Sequence, residues 1–276
     1  MTKGVRLDEQ HFGYKFTHLC DHIEFFQQTY QRTDLRGTDC LELGTGWYPV
    51  VPIGLFLKGA ERVRTVDISA LTNKERILTC IAEIVRREDQ FKAALGADIA
   101  ERFEVLRKLH EGDSTHLSLP DICRQLRLEL IVRDARDLEH SADFIVSNNT
   151  FEHVYPEVLS GILQQFWKLL RSGGLMSHFI DMSDHFAHMD SSISIYNFLQ
   201  FSEKEWQRID NDIQPQNRWR LAHYCELYDK LGIPYEKRKL RPGDVAAVRA
   251  VGVHEEFRHL SWEELAISHG YLLSRK

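Results

Sequence analysis

The chain has 276 residues, a formal net charge of −6, and ordinary shares of hydrophobic (43%) and charged (28%) residues. This length can bury one large core, so we predict a single domain over residues 1–276, and the acidic balance without a dense Lys/Arg run argues against a nucleic-acid partner. The five cysteines form no C-x-x-C pair, which favours a reducing cytoplasm. No apolar stretch reaches the ~20 residues that cross a bilayer. We expect a cytoplasmic protein that acts on a small-molecule substrate.

The first predicted element is a helix that runs through Tyr30. We interpret residues 1–34 as an N-terminal helical cap. Tyr14 and His18 in this segment either face a ligand site or pack their rings onto the sheet, and the sequence favours the second arrangement.

A strand, a glycine-rich turn, a helix-length segment and a second strand follow one another in residues 39–69. Gly44 and Gly46 allow a sharp turn and a close approach of the backbone to a ligand. An acid that ends the second strand, Asp67, can accept both hydroxyls of a ribose. This order predicts a nucleotide-binding βαβ unit. The third glycine of G-x-G-x-x-G is missing, because Pro49 stands three residues after Gly46, which disfavours a pyrophosphate site.

Residues 71–127 lie between the second and third predicted strands, where a minimal fold needs one helix. The insertion contains three helical patterns, Ile77–Val85, Ile99–Leu109 and Leu117–Leu126, with a linker at residues 110–114. We predict a helical insertion that serves as a surface decoration, a lid or an arm of a homodimer.

Two further strand ends carry polar residues. One apolar run, Leu130–Arg133, ends at Asp134-Ala135, and the next, Ala142–Val146, ends at a Ser-Asn-Asn-Thr-Phe-Glu-His-Val segment over residues 147–154. With Glu-x-Gly-x-Gly at residues 42–46, these motifs resemble, in the same order, those of the class I S-adenosylmethionine-dependent methyltransferases.

The resemblance spans about residues 35–275 and implies an α/β fold. The implied sheet is seven-stranded and mostly parallel, in the order 3-2-1-4-5-7-6, with strand 7 antiparallel and helices on both faces. It also implies S-adenosylmethionine as the cofactor. In this family the glycine turn holds the methionyl and ribose part, the acid after strand 2 holds the ribose, and the acid after strand 3 contacts the adenine. The cofactor-binding residues that it implies are Glu42, Gly44, Thr45, Gly46, Asp67, Ile68, Asp134, Ala135, Asn148 and Asn149.

The remaining pattern agrees with this fold. An amphipathic helix is predicted at 157–170, and Gly173-Gly174 should end it before a strand at 175–180. The sixth and seventh strands are predicted at 232–240 and 270–275, with a helix capped by Ser261 and Glu264 between them.

The segment 178–190 holds six potential metal ligands or proton carriers and passes the carboxyl end of the fifth strand, where open α/β sheets place ligands. Three interpretations stay open. A divalent metal binds there, histidines act as general bases without metal, or the acids cap a short helix near Phe186. A metal is not favoured over a histidine base. The catalytic candidates are His153, His178, Asp181 and His185, and the weaker metal-ligand candidates are Asp181, Asp184 and His185.

The Asn/Asp-Pro-Pro-aromatic signature for methylation of nitrogen is absent at residues 147–150. We therefore expect methyl transfer to a hydroxyl of a small polar acceptor such as a sugar or sugar nucleotide. Two alternatives are an NAD-linked oxidoreductase, which Pro49 and the lack of Tyr-x-x-x-Lys disfavour, and a non-catalytic module that binds S-adenosylmethionine.

Overall fold

The computed structural model describes residues 6–112, 116–188, 190–210 and 215–276. Seven strands form one sheet in the order β3-β2-β1-β4-β5-β7-β6. β1 pairs with β2 and β2 with β3 in parallel, whereas β6 and β7 are antiparallel. The predicted fold class is thereby confirmed. The strands are β1 Asp39–Leu43, β2 Arg62–Asp67, β3 Leu128–Val132, β4 Ala142–Asn148, β5 Leu170–Asp181, β6 Glu236–Arg241 and β7 His269–Arg275.

Eleven α-helices lie within the described part of the chain. The helix predicted through Tyr30 is confirmed, and so are the three helices of the insertion, to within a few residues at each end. Three further helices, α4, α8 and α10, were not predicted. The helices are α1 Glu9–Tyr30, α2 Val50–Leu57, α3 Lys74–Arg86, α4 Glu88–Leu95, α5 Ala100–Glu111, α6 Leu119–Gln125, α7 Pro156–Leu169, α8 Glu203–Ile209, α9 Leu221–Leu231, α10 Val245–Val251 and α11 Trp262–Ala266.

The turn between α7 and β5 differs from its prediction. β5 begins at Leu170, directly after α7, so Gly173 and Gly174 lie inside the strand. Gly173 has a φ of 77° and donates its N–H to the carbonyl of Lys276 at 2.7 Å. The glycine pair therefore forms an irregularity in a paired strand and does not end the helix.

The described residues form two compact units. The first comprises the chain up to Val146 together with Lys168–Leu175 and Lys276, and the second comprises Ser147–Trp167 and Met176–Arg275. The prediction of a single domain over 1–276, with a cap at 1–34 and an insertion at 71–127, stays a prediction.

In the first unit, α1 packs against α2 so closely that a Cβ on Gly54 would lie 2.0 Å from Leu19 Cδ2. The insertion buries apolar residues of α3 against α5, and Lys58 after α2 pairs with Asp98 at 3.1 Å. Part of the predicted 110–114 linker, residues 113 and 114, lies outside the described residues. Whether the insertion serves as surface, lid or dimer arm stays a prediction.

The second unit has its own small core, formed by Tyr196, Phe198 and Trp206 with apolar residues of α10 and α11. These aromatic residues are buried. The predicted capping box of Ser261 and Glu264 is present at α11. At the edge of the sheet, β6 carries Lys and Arg side chains, which discourage pairing with another strand.

No α-helix among the described residues combines the length and the apolar character needed to cross a membrane.

Candidate functional site

The glycine turn follows β1 in the first unit. The N–H of Gly44 donates to the carbonyl of Val66 at 2.8 Å, so the parallel ladder continues one residue beyond β1. Gly44 and Gly46 have φ values of 87° and 60°, which glycine adopts without strain. A Cβ on Gly46 would meet no atom within 4 Å, so open space lies beside the turn. The backbone is therefore accessible to a ligand at this position.

Asp67 closes this turn from the end of β2. Its Oδ2 accepts the N–H of Gly46 at 3.0 Å, and its Oδ1 accepts the N–H of Ser69 at 3.0 Å. A carboxylate oxygen has more than one acceptor site, so both oxygens can still accept a ligand hydroxyl. Ile68 is 72% exposed, and Val132, the register partner of Asp67 on β3, is 56% exposed. This arrangement suits a nucleoside, because an acid can accept the hydroxyls of the ribose and exposed aliphatic groups can cover the flat face of the base.

Glu42, on β1, belongs to a buried chain of hydrogen bonds that connects β1, β2 and the glycine turn. Thr65, its partner on β2, donates to Glu42 Oε2 at 2.8 Å, and the hydroxyls of Thr45 and Thr65 are 2.7 Å apart. Burial raises the pKa of Glu42 to about 8, and the negative charge of Asp67 also raises it. The positive charge of Lys15 and the hydrogen bond from Thr65 lower this pKa, but by less. Thr65 of β2 therefore links Thr45 of the turn to Glu42, and Glu42 is mostly uncharged at neutral pH.

Asp134 follows β3 and caps the short 3-10 helix Ala135–Asp137. Its carboxylate pairs with Arg136, with Nη2 and Oδ2 2.6 Å apart. Hydrogen bonds from the side chain and backbone of Arg136 hold the pKa of Asp134 below its ordinary value. Ala135 is buried. The partner Arg136 was not expected from the sequence.

Asp181, at the end of β5 in the second unit, is the centre of a buried polar cluster. Its Oδ1 accepts the N–H of Ser183 at 2.9 Å and lies 3.2 Å from His269 Nε2, while its Oδ2 lies 3.5 Å from His185 Nε2. Burial alone would raise the pKa of Asp181, but hydrogen bonds from His185 and His269 outweigh it and hold the pKa below its ordinary value. Asp181 is therefore a buried acid that keeps its charge.

His153 adjoins this cluster. Its Nδ1 is 2.8 Å from the carbonyl of Pro215, which can only accept, so Nδ1 carries the proton and Nε2 keeps a lone pair. Its ring centroid is 4.8 Å from that of His185. Burial, with the neighbouring His185, lowers the pKa of His153 to about 4, so this side chain is neutral at neutral pH.

Glu152 is the member of the cluster that sequence reasoning missed. Its side chain is buried, and within the described chain neither carboxylate oxygen has a donor in hydrogen-bond geometry. Burial raises the pKa of Glu152 well above its ordinary value, and the charge of Asp181 adds to this. The backbone N–H groups of Glu152 and Asp181 and the Asn149 amide lie near the carboxylate, outside hydrogen-bond geometry, and offset the rise only in part. Its position next to His153 in the Glu-His-Val motif was the only signal in the sequence.

His178 and Asp184 make other contacts. His178 is fully buried, with Nδ1 2.8 Å from Ser147 Oγ and its ring stacked on that of Phe151 at 4.6 Å. Asp184 accepts the N–H of Phe186 at 2.9 Å, as the capping interpretation predicted. The cluster thus unites His153, Asp181 and His185, while a catalytic role for His178 and a metal-binding role for Asp184 stay predictions.

Asn148 and Asn149 end β4 and begin the next loop. Asn149 has a left-handed φ of 50°, and its Nδ2 lies 3.5 Å from Asp181 Oδ2, so this amide faces the polar cluster. Asn148 is half-buried. Their assignment to the cofactor stays a prediction.

Two groups of potential metal ligands occur among the described residues. Glu152, His153 and His185 form one, and Asp181, His185 and His188 form the other, with the ligand atoms of each group within 4.8 Å of one another. His188 is exposed, whereas Glu152 is buried. Met189, inside the predicted 178–190 segment, lies outside the described residues.

Residues 216 and 217 hold the cluster in place, and no motif in the sequence predicts this role. Asn217 Nδ2 donates to the carbonyls of Phe151 and Val154, each at 2.8 Å, and Asn217 N donates to that of Glu152 at 2.9 Å. Gln216 Oε1 accepts the N–H of His185 at 3.3 Å. Asn217 thus holds the loop at 151–154, and Gln216 holds the backbone at His185.

No protein-family model and no curated protein matches this chain. Among solved structures, it is similar to magnesium protoporphyrin IX methyltransferase from Synechocystis PCC 6803 with bound SAH, at 9% identity over 99% of this chain and 89% of that chain, with a TM-score of 0.50. It is also similar to a Galdieria sulphuraria protein described as a sarcosine dimethylglycine methyltransferase, at 15% identity over 95% of this chain and 86% of that chain, with a TM-score of 0.50. At these identities the comparison concerns architecture. Together with the strand order, it shows that the chain has the class I methyltransferase fold.

Proposed function

We propose that this protein transfers a methyl group from S-adenosylmethionine to a hydroxyl of a small polar acceptor, such as a sugar or sugar nucleotide. The observation that carries the proposal is the turn that Asp67 closes on Gly46, at the carboxyl ends of β1 and β2, in a chain with the class I methyltransferase fold. One protein of this fold, magnesium protoporphyrin IX methyltransferase, has been crystallised with bound SAH.

The first unit has the groups that S-adenosylmethionine requires. Gly44 and Gly46 admit the ligand next to the backbone, and the carboxylate of Asp67 accepts the ribose hydroxyls. Ile68 offers exposed apolar surface to the adenine ring, and Asp134 accepts from the adenine amino group. The open space beside Gly46 fits this assignment, since a Cβ there would point into it. Bound S-adenosylmethionine supplies an electrophilic methyl group on a sulfonium sulfur.

The second unit has groups that can remove a proton. A hydroxyl oxygen becomes a better nucleophile as its proton leaves, and a positioned acid-base group typically contributes about 10²- to 10⁴-fold to the rate. Asp181 keeps its charge beside His185, with 3.5 Å between Oδ2 and Nε2, and therefore stabilises positive charge at that position. We assign the proton of the acceptor to the cluster of His153, Asp181 and His185.

The absence of the nitrogen-methylating signature at residues 147–150 supports oxygen as the acceptor atom. The cluster consists of imidazole and carboxylate groups, which suit the removal of a hydroxyl proton. An amine that is already neutral needs no such group before it attacks the methyl carbon.

Thermal unfolding with ligands tests the proposal. A ligand present at 100 times its Kd stabilises the fold by about 2.7 kcal/mol, so S-adenosylmethionine and its demethylated product should each raise Tm. NAD at the same concentration is the control and should leave Tm unchanged. A panel of hydroxylated acceptors assayed for release of S-adenosylhomocysteine then identifies the acceptor class. Protection by NAD without protection by S-adenosylmethionine would contradict the proposal.

A further inference from the structure

We propose that Glu152, His153 and His185, with Asp181 beside them, form a binding site for a divalent transition-metal cation. This inference rests on the proposed function and deepens it, because the cation would bind the acceptor hydroxyl in the second unit. All four residues belong to that unit.

The spacing of the donor atoms supports the site. One atom each from Glu152, His153 and His185 lies within 4.8 Å of the other two. Ligands that share one tetrahedral cation at about 2.0 to 2.2 Å are about 3.3 Å apart, so the side chains need to move by only about 1 to 2 Å. Rotation about side-chain bonds supplies such a movement without a change in the backbone.

The carboxylate of Glu152 points to a positive ligand. It is 2% exposed, and no donor among the described residues meets either oxygen in hydrogen-bond geometry. A charged carboxylate in such a place is strongly unfavourable unless it is paired or coordinates a metal. Asp181 adds a second buried acid close enough to repel it. A divalent cation between the two acids would compensate both charges at once.

The surroundings of the donors also match a metal site. His153 donates its Nδ1–H to the carbonyl of Pro215, the typical arrangement for a histidine that binds a metal through Nε2. Asp181 Oδ1 is held by Ser183 and faces His269, while Oδ2 faces His185. Both residues thus have their supporting hydrogen bonds before any cation arrives.

The donor types select the cation. Imidazole suits zinc, iron, cobalt and nickel, whereas Mg²⁺ and Ca²⁺ prefer sites made of oxygen atoms. Two imidazoles with one or two carboxylates therefore favour Zn²⁺ or Co²⁺ over Mg²⁺. A bound divalent cation would lower the pKa of a hydroxyl that it contacts. Because His153 and His185 would then hold the cation, Asp181 is the member of the cluster left to take the proton as the oxygen is methylated.

The test uses the full chain, stripped of metal with a chelator and then titrated with Zn²⁺, Co²⁺ or Mg²⁺ in a calorimeter. We expect Zn²⁺ and Co²⁺ to bind with one site per chain, and Co²⁺ to show visible d–d absorption typical of nitrogen and oxygen ligands. Mg²⁺ should bind far more weakly. Absence of binding by both Zn²⁺ and Co²⁺ would overturn the inference.

Three variants identify the donors. Glu152→Gln and His185→Ala should weaken Zn²⁺ binding at least about 10- to 100-fold, the range already seen when a supporting residue of a metal site is changed. His188→Ala is the matched control, because His188 belongs only to the alternative group with Asp181 and His185, and it should bind Zn²⁺ like the unaltered protein. Binding that is lost in His188→Ala and kept in Glu152→Gln would contradict the proposed donor set.

Stability measurements separate loss of the site from loss of the fold. Without metal, Glu152→Gln should melt at the same temperature as the unaltered protein or higher, because it removes a buried unpaired acid. It should also lose the rise in Tm that Zn²⁺ gives the unaltered protein. A rise in Tm with Zn²⁺ in Glu152→Gln equal to that of the unaltered protein would count against the site.

The inference and the proposed function can fail independently. Binding of S-adenosylmethionine is measured in the presence of chelator, and binding of Zn²⁺ is measured without S-adenosylmethionine. Methyl transfer that proceeds at full rate in chelator would overturn the role of the cation at the acceptor hydroxyl and leave the proposed function intact. Zn²⁺ binding that depends on Glu152, in a protein that does not bind S-adenosylmethionine, would support the site and contradict the function.

Discussion

The two candidate sites are built in different ways. In the first unit, the turn at 44–46 is shaped by main-chain geometry, since a carboxylate and a carbonyl from β2 hold the N–H groups of its two glycines. In the second unit, the cluster around Asp181 depends on side chains from several distant segments, including His153, His185 and His269. The turn should therefore tolerate most substitutions nearby, whereas the cluster should be sensitive to changes at many positions.

Ionisable side chains are buried in both units, and the first encloses Glu42, Lys58 and Arg64. The described part of the second unit encloses Asp181, Glu152 and the guanidinium of Arg220. Burial lowers the pKa of Arg220 to about 10, although the charge of Asp181 partly offsets the effect. Ionisable groups are costly to desolvate, so the protein is less stable with them in its interior than it would be with well-packed apolar side chains there.

The largest change in the free energy of unfolding is expected for Arg220→Met, which removes buried side-chain hydrogen bonds from the second unit. Arg220 donates to the carbonyls of Met182, Leu265 and Ile267, and Arg220→Met would leave these buried acceptors unpaired. At about 1 to 3 kcal/mol for each acceptor, we expect a loss on the order of 5 kcal/mol in the free energy of unfolding, measured with urea. The control is Arg241→Met, at an exposed arginine. Equal losses in both variants would contradict the account.

The next effect concerns the buried acid of the first unit. The pKa of Glu42 in the folded protein, about 8, exceeds the ordinary 4.5, so the contribution of this group to stability is complete below pH 4.5 and is lost as the pH rises towards 8. At about 1.4 kcal/mol per pKa unit, the loss is on the order of 5 kcal/mol.

Glu42→Gln should therefore be more stable than the unaltered protein at about pH 9, with a much smaller difference at about pH 4. Urea unfolding at both values measures this change. The exposed Glu139→Gln is the control and should show no such trend. A Glu42→Gln difference that does not vary with pH would show that Glu42 is charged in the folded protein.

A smaller effect sharpens the contrast between the two sites. Asn217→Ala removes the donor to the carbonyls of Phe151 and Val154, which should cost about 2 kcal/mol of stability. Methyl transfer should fall, whereas the affinity for S-adenosylmethionine should hardly change, because the turn at 44–46 belongs to the first unit. Gln207→Ala, at an exposed amide, is the control. An equal fall in affinity and turnover would refute the separation of roles.

The sequence predicted the elements whose signals are local. Apolar runs predicted β1 and β2, and two glycines with an acid predicted the turn between them. The spacing of Ser261 and Glu264 predicted the capping box of α11. The start of β5 was missed because the pairing of Gly173 with Lys276 joins residues far apart in the chain.

The composition of the second site was only partly predictable. His153, Asp181 and His185 stood out by residue type and by their place after strands. Glu152 had only its place in the Glu-His-Val motif as a signal, and Asn217 had none, because an isolated amide gives no periodic or motif signal. Their roles arise only when the loop at 151–154 folds against residues 216–217.

Calorimetric titration with S-adenosylmethionine tests the central claim most directly. The unaltered protein should bind one molecule per chain. Asp67→Ala should bind at least about 100-fold more weakly, since two charge-assisted hydrogen bonds are worth about 3 kcal/mol or more. Asp143→Asn, which alters an acid that holds the N–H of Asp39, should keep the affinity. No binding by the unaltered protein, or equal binding by Asp67→Ala, would contradict the account.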